Sequence, residues 1–169
     1  LACLDLTLEE MQEIGQMFGA DIPYCLIDDL AYVTQTGERV EVIPNQLKNK
    51  QVLLIHPKKH ILTKDVFKKG DKMGYQAIDI NPLLNAIEKN DDETIKTHLY
   101  NGLESIVLNM DEKMADFKNM LVEKLGGKGL VMTGSGSTYI KLIEEINSDF
   151  LEFIKQNQDK YLVNVYKII

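Results

Sequence analysis

Two short apolar runs, Gly129 to Thr133 and Tyr139 to Ile143, are joined by Gly134-Ser135-Gly136-Ser137-Thr138. Two strand-like segments separated by five small residues fold economically as an antiparallel hairpin, and the glycines permit the positive φ that a tight connection needs. A second reading of the same loop is a concavity in which the unhindered amides of Ser135 to Thr138 receive phosphate oxygens. No Gly-Lys-Ser/Thr follows, so this is not a P-loop. An isolated hairpin is marginal in water and needs further strands or helical cover.

The rest of the chain supplies both. Gln51-Val52-Leu53-Leu54-Ile55-His56 reads as a buried strand that Pro57 stops, and 162–168 reads as a final strand. Between them the spacing predicts helices at 63–69, with Thr63 as N-cap, and at 81–89, 91–100 and 109–125. The last of these buries Met114, Phe117, Leu121 and Leu125 and ends at Gly126-Gly127. Residues 70–80 carry two glycines and alternating charge and read as a mobile loop. With a helix near 148–157, the order strand, helices, hairpin, helix, strand predicts an α+β sandwich with helices packed on one sheet face.

Upstream, Thr7-Leu8-Glu9-Glu10 forms a capping box. It opens a helix whose apolar positions are Leu8, Met11, Ile14 or Gly15, and Phe18, and Gly19 ends it. Strands follow at 31–34 and 39–43, turned by Gln35-Thr36-Gly37-Glu38. The polar stretch 44–50 is the expected boundary, dividing the chain into 1–45 and 46–169.

Charge and composition narrow the partners. A net charge of −7 over 169 residues argues against general binding to nucleic-acid backbones, which takes basic surface. A local pocket can still hold a small nucleotide. No apolar run approaches the roughly 18 residues of a membrane span, and no signal peptide or lipidation signature is read, so the expectation is a cytoplasmic protein. Cys3 and Cys25 form no CxxC pair and read as reduced thiols. His56 and His60 have a helical spacing, but Pro57 between them disfavours a regular helix, and no protein-ligated metal is expected. The chain opens on Leu1 rather than methionine, and the expectation is that a preceding part is missing.

Three further segments carry candidate chemistry. In Gly19-Ala20-Asp21-Ile22-Pro23-Tyr24 the acid is either a turn residue at a helix exit or a general base for phosphoryl transfer from ATP. Phe67, at the end of Thr63-Lys64-Asp65-Val66-Phe67, reads by default as core. Lys58, Lys59 and Lys64 have the charge to attract phosphate, but Lys68 and Lys69 continue the run, and most of it reads as a solvated face.

In this order and with this flanking, the Gly-Ala-Asp-Ile-Pro-Tyr segment, the strand–turn–strand after it, the Phe67 segment and the glycine loop resemble the second half of a GHMP-superfamily small-molecule kinase. Within that superfamily the resemblance is to the 4-diphosphocytidyl-2-C-methyl-D-erythritol kinases. Asn101-Gly102-Leu103-Glu104 is similar to the family's Asn-Asp-Leu-Glu at a helix–helix junction, with Gly102 in place of the common Asp; a plain helix break is the other reading.

The resemblance implies a ferredoxin-like C-terminal substrate-binding domain over 46–169, preceded over 1–45 by a remnant of the N-terminal ATP-binding domain. It implies Asp21 as catalytic base and Phe67 as the ring that stacks on cytosine, with Thr63 as polar neighbour. Gly134, Ser135, Gly136, Ser137 and Thr138 become the phosphate-side loop, Ser137 standing where the family usually has proline. The implied cofactors are ATP and Mg²⁺, the latter without a protein ligand in this chain, and the implied substrate is a small alcohol carrying cytidine diphosphate.

The family's N-terminal lysine and its Pro-x-x-x-Gly-Leu-Gly-Gly-Gly-Ser-Ser-type nucleotide loop do not occur in residues 1–169. Activity is therefore expected of a longer protein and not of this chain alone, and apolar surface left where the other part docks admits a homodimer. Two alternatives stay open: a GHMP kinase acting on homoserine, mevalonate or a sugar, and a non-catalytic ligand-binding module.

Overall fold

The computed structural model describes residues 5–27, 29–37 and 39–168, so Cys3 and Glu38 of the expected turn lie outside the described residues. It mixes helix and sheet in two compact units, residues 1–46 and 47–169.

In the first unit, helix α1 (Leu8–Gln16) starts with the expected capping box. The Thr7 hydroxyl accepts from the Glu10 amide at 3.2 Å, and the Glu10 carboxylate accepts from the Thr7 amide at 2.8 Å. That amide holds the Glu10 carboxyl below the usual carboxylate range. The expected apolar stripe does not form a core: Leu8, Ile14, Met17 and Phe18 are exposed, and Gly15 is the buried residue of the helix. The reason lies in the next element, α2 (Ile22–Cys25), whose Ile22 packs onto the bare backbone of Gly15. A Cβ there would lie 2.7 Å from the Ile22 Cγ2. Strands β1 (Ala31–Thr34) and β2 (Arg39–Val42) pair antiparallel as a two-stranded ribbon, in register Ala31 with Val42.

The second unit is built on β3 (Gln51–His56), β4 (Leu130–Met132), β5 (Tyr139–Ile143) and β6 (Leu162–Lys167). Their order in the sheet is β4-β5-β3-β6, and every neighbouring pair is antiparallel. Register puts Leu53 opposite Lys141 and Val165, and Ile55 opposite Tyr139 and Val163. Because side chains alternate along a strand, these residues share one face with Leu130 and Met132 of β4.

That face is covered by α3 (Thr63–Met73), α6 (Glu104–Met110), α7 (Glu112–Leu125) and α8 (Ser148–Asn157). They contribute Val66, Ile106, Met114, Phe117, Leu121 and Phe153 to the core. The rings of Phe117 and Tyr139 meet edge to face at 5.8 Å. Helices α4 (Asn81–Glu88) and α5 (Asp92–His98) pack on each other. Among the described residues no helix is long and apolar enough to cross a membrane.

Three sequence expectations change. The helix expected at 109–125 begins at Glu112, and a separate helix, α6, precedes it. Asp111 breaks the path with an extended φ of −142° and caps α7 by accepting from the Met114 amide at 3.1 Å. The loop expected over 70–80 is shorter, since α3 runs on to Met73. The N-cap of α3 is Leu62 rather than Thr63, whose hydroxyl is bonded elsewhere.

Lys141 is the one long charged side chain turned toward the helices from β5. It is 8% exposed, and its ammonium donates to the carbonyls of Gly126 and Lys128 just past the end of α7. Burial lowers its pKa, with Lys96 and Lys118 adding to the effect.

Replacing the fully buried Leu53 by alanine is expected to destabilise the chain by about 2–5 kcal/mol. Ile14→Ala, at a half-exposed position, should cost within about 0.5 kcal/mol. Urea unfolding of the two variants checks both.

Candidate functional site

The glycine loop between β4 and β5 is closed at its base by the Thr133 amide, which donates to the Thr138 carbonyl at 2.8 Å. Inside it the Gly136 amide donates to the Thr133 carbonyl at 3.0 Å. Among the described residues the amides of Ser135, Ser137 and Thr138 have no protein acceptor. Of the four amides that the sequence suggests for a ligand, Gly136 is thus spent internally, and Ser135 and Thr138 are the two that are both unbonded and partly exposed. Gly134 and Gly136 both have positive φ, +52° and +87°. A Cβ at Gly136 would also come within 2.9 Å of the Met132 sulfur, whereas one at Gly134 would meet open space.

Three elements hold the loop in place. At its exit, Ser137 is 2% exposed and its hydroxyl donates to the Lys59 carbonyl. The Thr138 hydroxyl pairs with His56 Nδ1 at 3.1 Å, and the Ser137 hydroxyl lies 3.4 Å from the same nitrogen. Lys59 is itself anchored by an ion pair of 2.8 Å to Asp111.

At the loop's entry, the Asn101 side chain donates to the carbonyls of Met132 at 2.7 Å and Gly134 at 2.8 Å. Glu104 accepts from the Met132 amide at 3.1 Å and pairs with Lys118 at 2.6 Å. At the tip, the Ser135 hydroxyl bonds the Thr63 hydroxyl at 2.8 Å. That bond explains why Thr63 does not cap its own helix.

Phe67 lies one helical turn beyond Thr63 on the same face of α3, and its ring is 48% exposed. The core reading of Phe67 is therefore corrected: Val66 is the residue of this turn that enters the core. A second half-exposed aromatic lies along α3. The Tyr75 hydroxyl donates to the Phe67 carbonyl and to Asp71, both at 3.2 Å. Its ring fits because Gly70 has no side chain, a Cβ there coming within 2.6 Å of the phenol oxygen.

Thr63, Phe67 and the loop residues are thus brought together. Asp21 belongs to the first unit, where it is exposed, immediately before α2, and makes no side-chain cap bond. His56 and Asn101 are the site-forming residues that sequence reasoning did not assign. The signal for Asn101 lay in the Asn101-x-x-Glu104 spacing, which sets both side chains one turn apart. For His56 there was no local signal, because its partners lie about 80 residues away.

A second charged feature is largely paired within the chain. A cleft of about 760 Å³ near the start of β3 is lined by lysines, but Lys50 pairs with Asp92, Lys96 with Glu144, and Lys128 with Glu93. Among the described residues no group of three or more His, Cys, Asp or Glu side chains converges as a metal site.

No family model matches the chain. It is 32% identical over 144 residues to 4-diphosphocytidyl-2-C-methyl-D-erythritol kinase of Exiguobacterium sibiricum, a match covering 85% of this chain and 50% of the relative. A protein of the same name from Clostridium botulinum is 30% identical over 146 residues, with 84% and 50% covered. The chain spans about half the length of the curated relatives it matches.

Among solved structures, a 4-(cytidine 5'-diphospho)-2C-methyl-D-erythritol kinase superimposes with a TM-score of 0.71 at 17% identity, covering 95% of this chain and 56% of that one. Homoserine kinase from Cytophaga hutchinsonii gives 0.66 at 16%, covering 98% and 58%. Both structures are GHMP kinases, and at these identities they speak for the fold. The chain resembles a C-terminal part of such a kinase.

Asp111 links the loop's support to pH. The Lys59 ammonium, and then the Met114 amide, hold its carboxyl below the ordinary 3.8. A depressed carboxyl stabilises the fold above its ordinary value, and that stabilisation fades as pH falls through 3.8 toward the lowered value. Melting curves of wild type and Asp111→Asn should therefore differ most at neutral pH and converge as pH falls below the ordinary 3.8.

Proposed function

We propose that the chain is the C-terminal part of an ATP-dependent kinase that phosphorylates the 2-hydroxyl of 4-diphosphocytidyl-2-C-methyl-D-erythritol in non-mevalonate isoprenoid biosynthesis. One observation carries this reading: the Thr63–Ser135 hydrogen bond joins the helix that presents an exposed Phe67 to a loop with unspent amides. An aromatic platform beside a loop with free amides suits a nucleoside diphosphate, with the base stacked on Phe67 and phosphate oxygens on the amides of Ser135 and Thr138. The names of the sequence relatives favour the same ligand.

In this reading residues 46–169 form the substrate-binding domain. The order β4-β5-β3-β6, with helices in both long crossovers, supports a ferredoxin-like description of it. Residues 1–45 belong to the ATP-binding domain and carry Asp21, an exposed carboxylate free of capping duty. Asp21 accepts the hydroxyl proton as that oxygen attacks the γ-phosphorus of ATP and ADP departs. Mg²⁺ accompanies the ATP phosphates and takes no ligand from this chain. The complete kinase acts in the cytoplasm, as a homodimer where apolar surface is shared.

A second reading, phosphorylation of a different small alcohol, is favoured by the structural likeness to a homoserine kinase. Calorimetric titration separates the two. Binding of CDP, weakened roughly 5- to 150-fold by Phe67→Ala as expected for the loss of one stacked base, supports the first. Binding of homoserine with no response to CDP supports the second. In the full-length protein, Asp21→Asn should lower turnover by about 10²- to 10⁴-fold with the fold intact. Near-normal turnover removes Asp21 from the role.

A further inference from the structure

We infer that Asn101 is a positioning residue that aims the Ser135 amide at the ligand's phosphate, an inference resting on the phosphate-loop reading above. The carbonyl of Gly134 and the N–H of Ser135 belong to one planar trans unit, so they point in opposite directions. Asn101 holds that carbonyl at 2.8 Å. Fixing the carbonyl on the Asn101 side turns the Ser135 N–H to the opposite side, where it meets no protein acceptor among the described residues.

Glycine at 134 has the broadest backbone freedom of any residue, and a Cβ there would touch nothing, so steric contact does not set this orientation. The hydrogen bond does.

The Asn101 side chain is fully committed to this task. One amide hydrogen goes to Gly134, the other to Met132 at 2.7 Å, and the side-chain oxygen accepts from the Leu103 amide at 2.9 Å. One turn on, Glu104 takes the Met132 amide, so both polar groups of Met132 are bound by the same stretch of chain. The loop's entry is therefore fixed by the segment leading into α6, on a side of the loop different from the Thr63 contact at its tip.

Two substitutions separate aiming from simple helix capping. Asn101→Asp keeps the acceptor for the Leu103 amide, but it removes both donors and sets a carboxylate against two carbonyl oxygens. Asn101→Ala removes everything. CDP affinity is expected to fall about tenfold in both variants, from the loss of one or two net hydrogen bonds, while cytidine affinity changes less than about twofold.

The Ser135 N–H order parameter in the ligand-free 169-residue chain, read by ¹⁵N relaxation NMR, should fall in both from the rigid range, about 0.85, toward the flexible range, below about 0.6. Should circular dichroism show the alanine variant unfolded, Asn101→Ser, with one hydroxyl donor left, takes its place and should show a smaller loss. An Asn101→Asp variant that matches wild type in CDP binding and in the Ser135 order parameter overturns the inference and leaves Asn101 as a cap. Equal losses for CDP and cytidine also overturn it. If wild type binds neither ligand, the proposed function fails, and an unchanged Ser135 order parameter in the variants then refutes the aiming role on its own.

Discussion

The glycine loop depends on β3, an inner strand hydrogen-bonded to β5 on one edge and to β6 on the other. A five-residue run with two positive-φ glycines carries a large conformational entropy and would not keep one shape unaided. The end of β3 supplies His56 to the loop's exit, the turn after it supplies the Lys59 carbonyl, and the helix after that supplies Thr63 to its tip. The buried side chains Leu53 and Ile55 fix β3 against the helices, and so set where those three anchors stand.

The other support is charged. Glu104 and Lys118 have side chains 14% and 19% exposed, and they pair at 2.6 Å. Taking two such charges partly out of water costs free energy that their attraction offsets only with further hydrogen bonds. Glu104 has two, from the Met132 amide and, at 3.5 Å, from the Tyr139 hydroxyl. The ammonium of Lys118 also lies 5.1 Å from the centre of the Tyr139 ring, a cation–π distance. Burial, reinforced by the Glu104 charge, pushes the Tyr139 hydroxyl well above its usual range, which keeps that ring neutral at any ordinary pH. The pair joins α6 to α7, and through the Met132 amide it holds β4 against them.

Much of this was legible in the sequence because it repeats at short range. The capping box at Thr7 and Glu10, the helical spacing of Met114, Phe117, Leu121 and Leu125, and the strand 51–56 all follow local rules. What the sequence hid was settled by distant partners. Asp111 falls just inside the helix expected from 109, yet its extended φ ends α6 there and starts α7 after it. Thr63 has the chemistry of an N-cap, but Ser135, 72 positions later, claims its hydroxyl. The α1 stripe looked like a core face, and Ile22 took the bare glycine beside it instead. The glycine loop was rightly ambiguous from its residues: it is a hairpin connection with two partly exposed amides to spare.

Lys141 joins two elements that sequence places on opposite sides of a turn. Its ammonium closes the last carbonyls beyond α7 from a position on β5. A helix end sealed by a neighbouring strand cannot fray alone, because loosening its final turn strands a buried charge without acceptors. Helix α7 and the hairpin should thus open as one unit, and the glycine loop, carried at the far end of that hairpin, inherits the slow clock of the core rather than the fast one of surface turns.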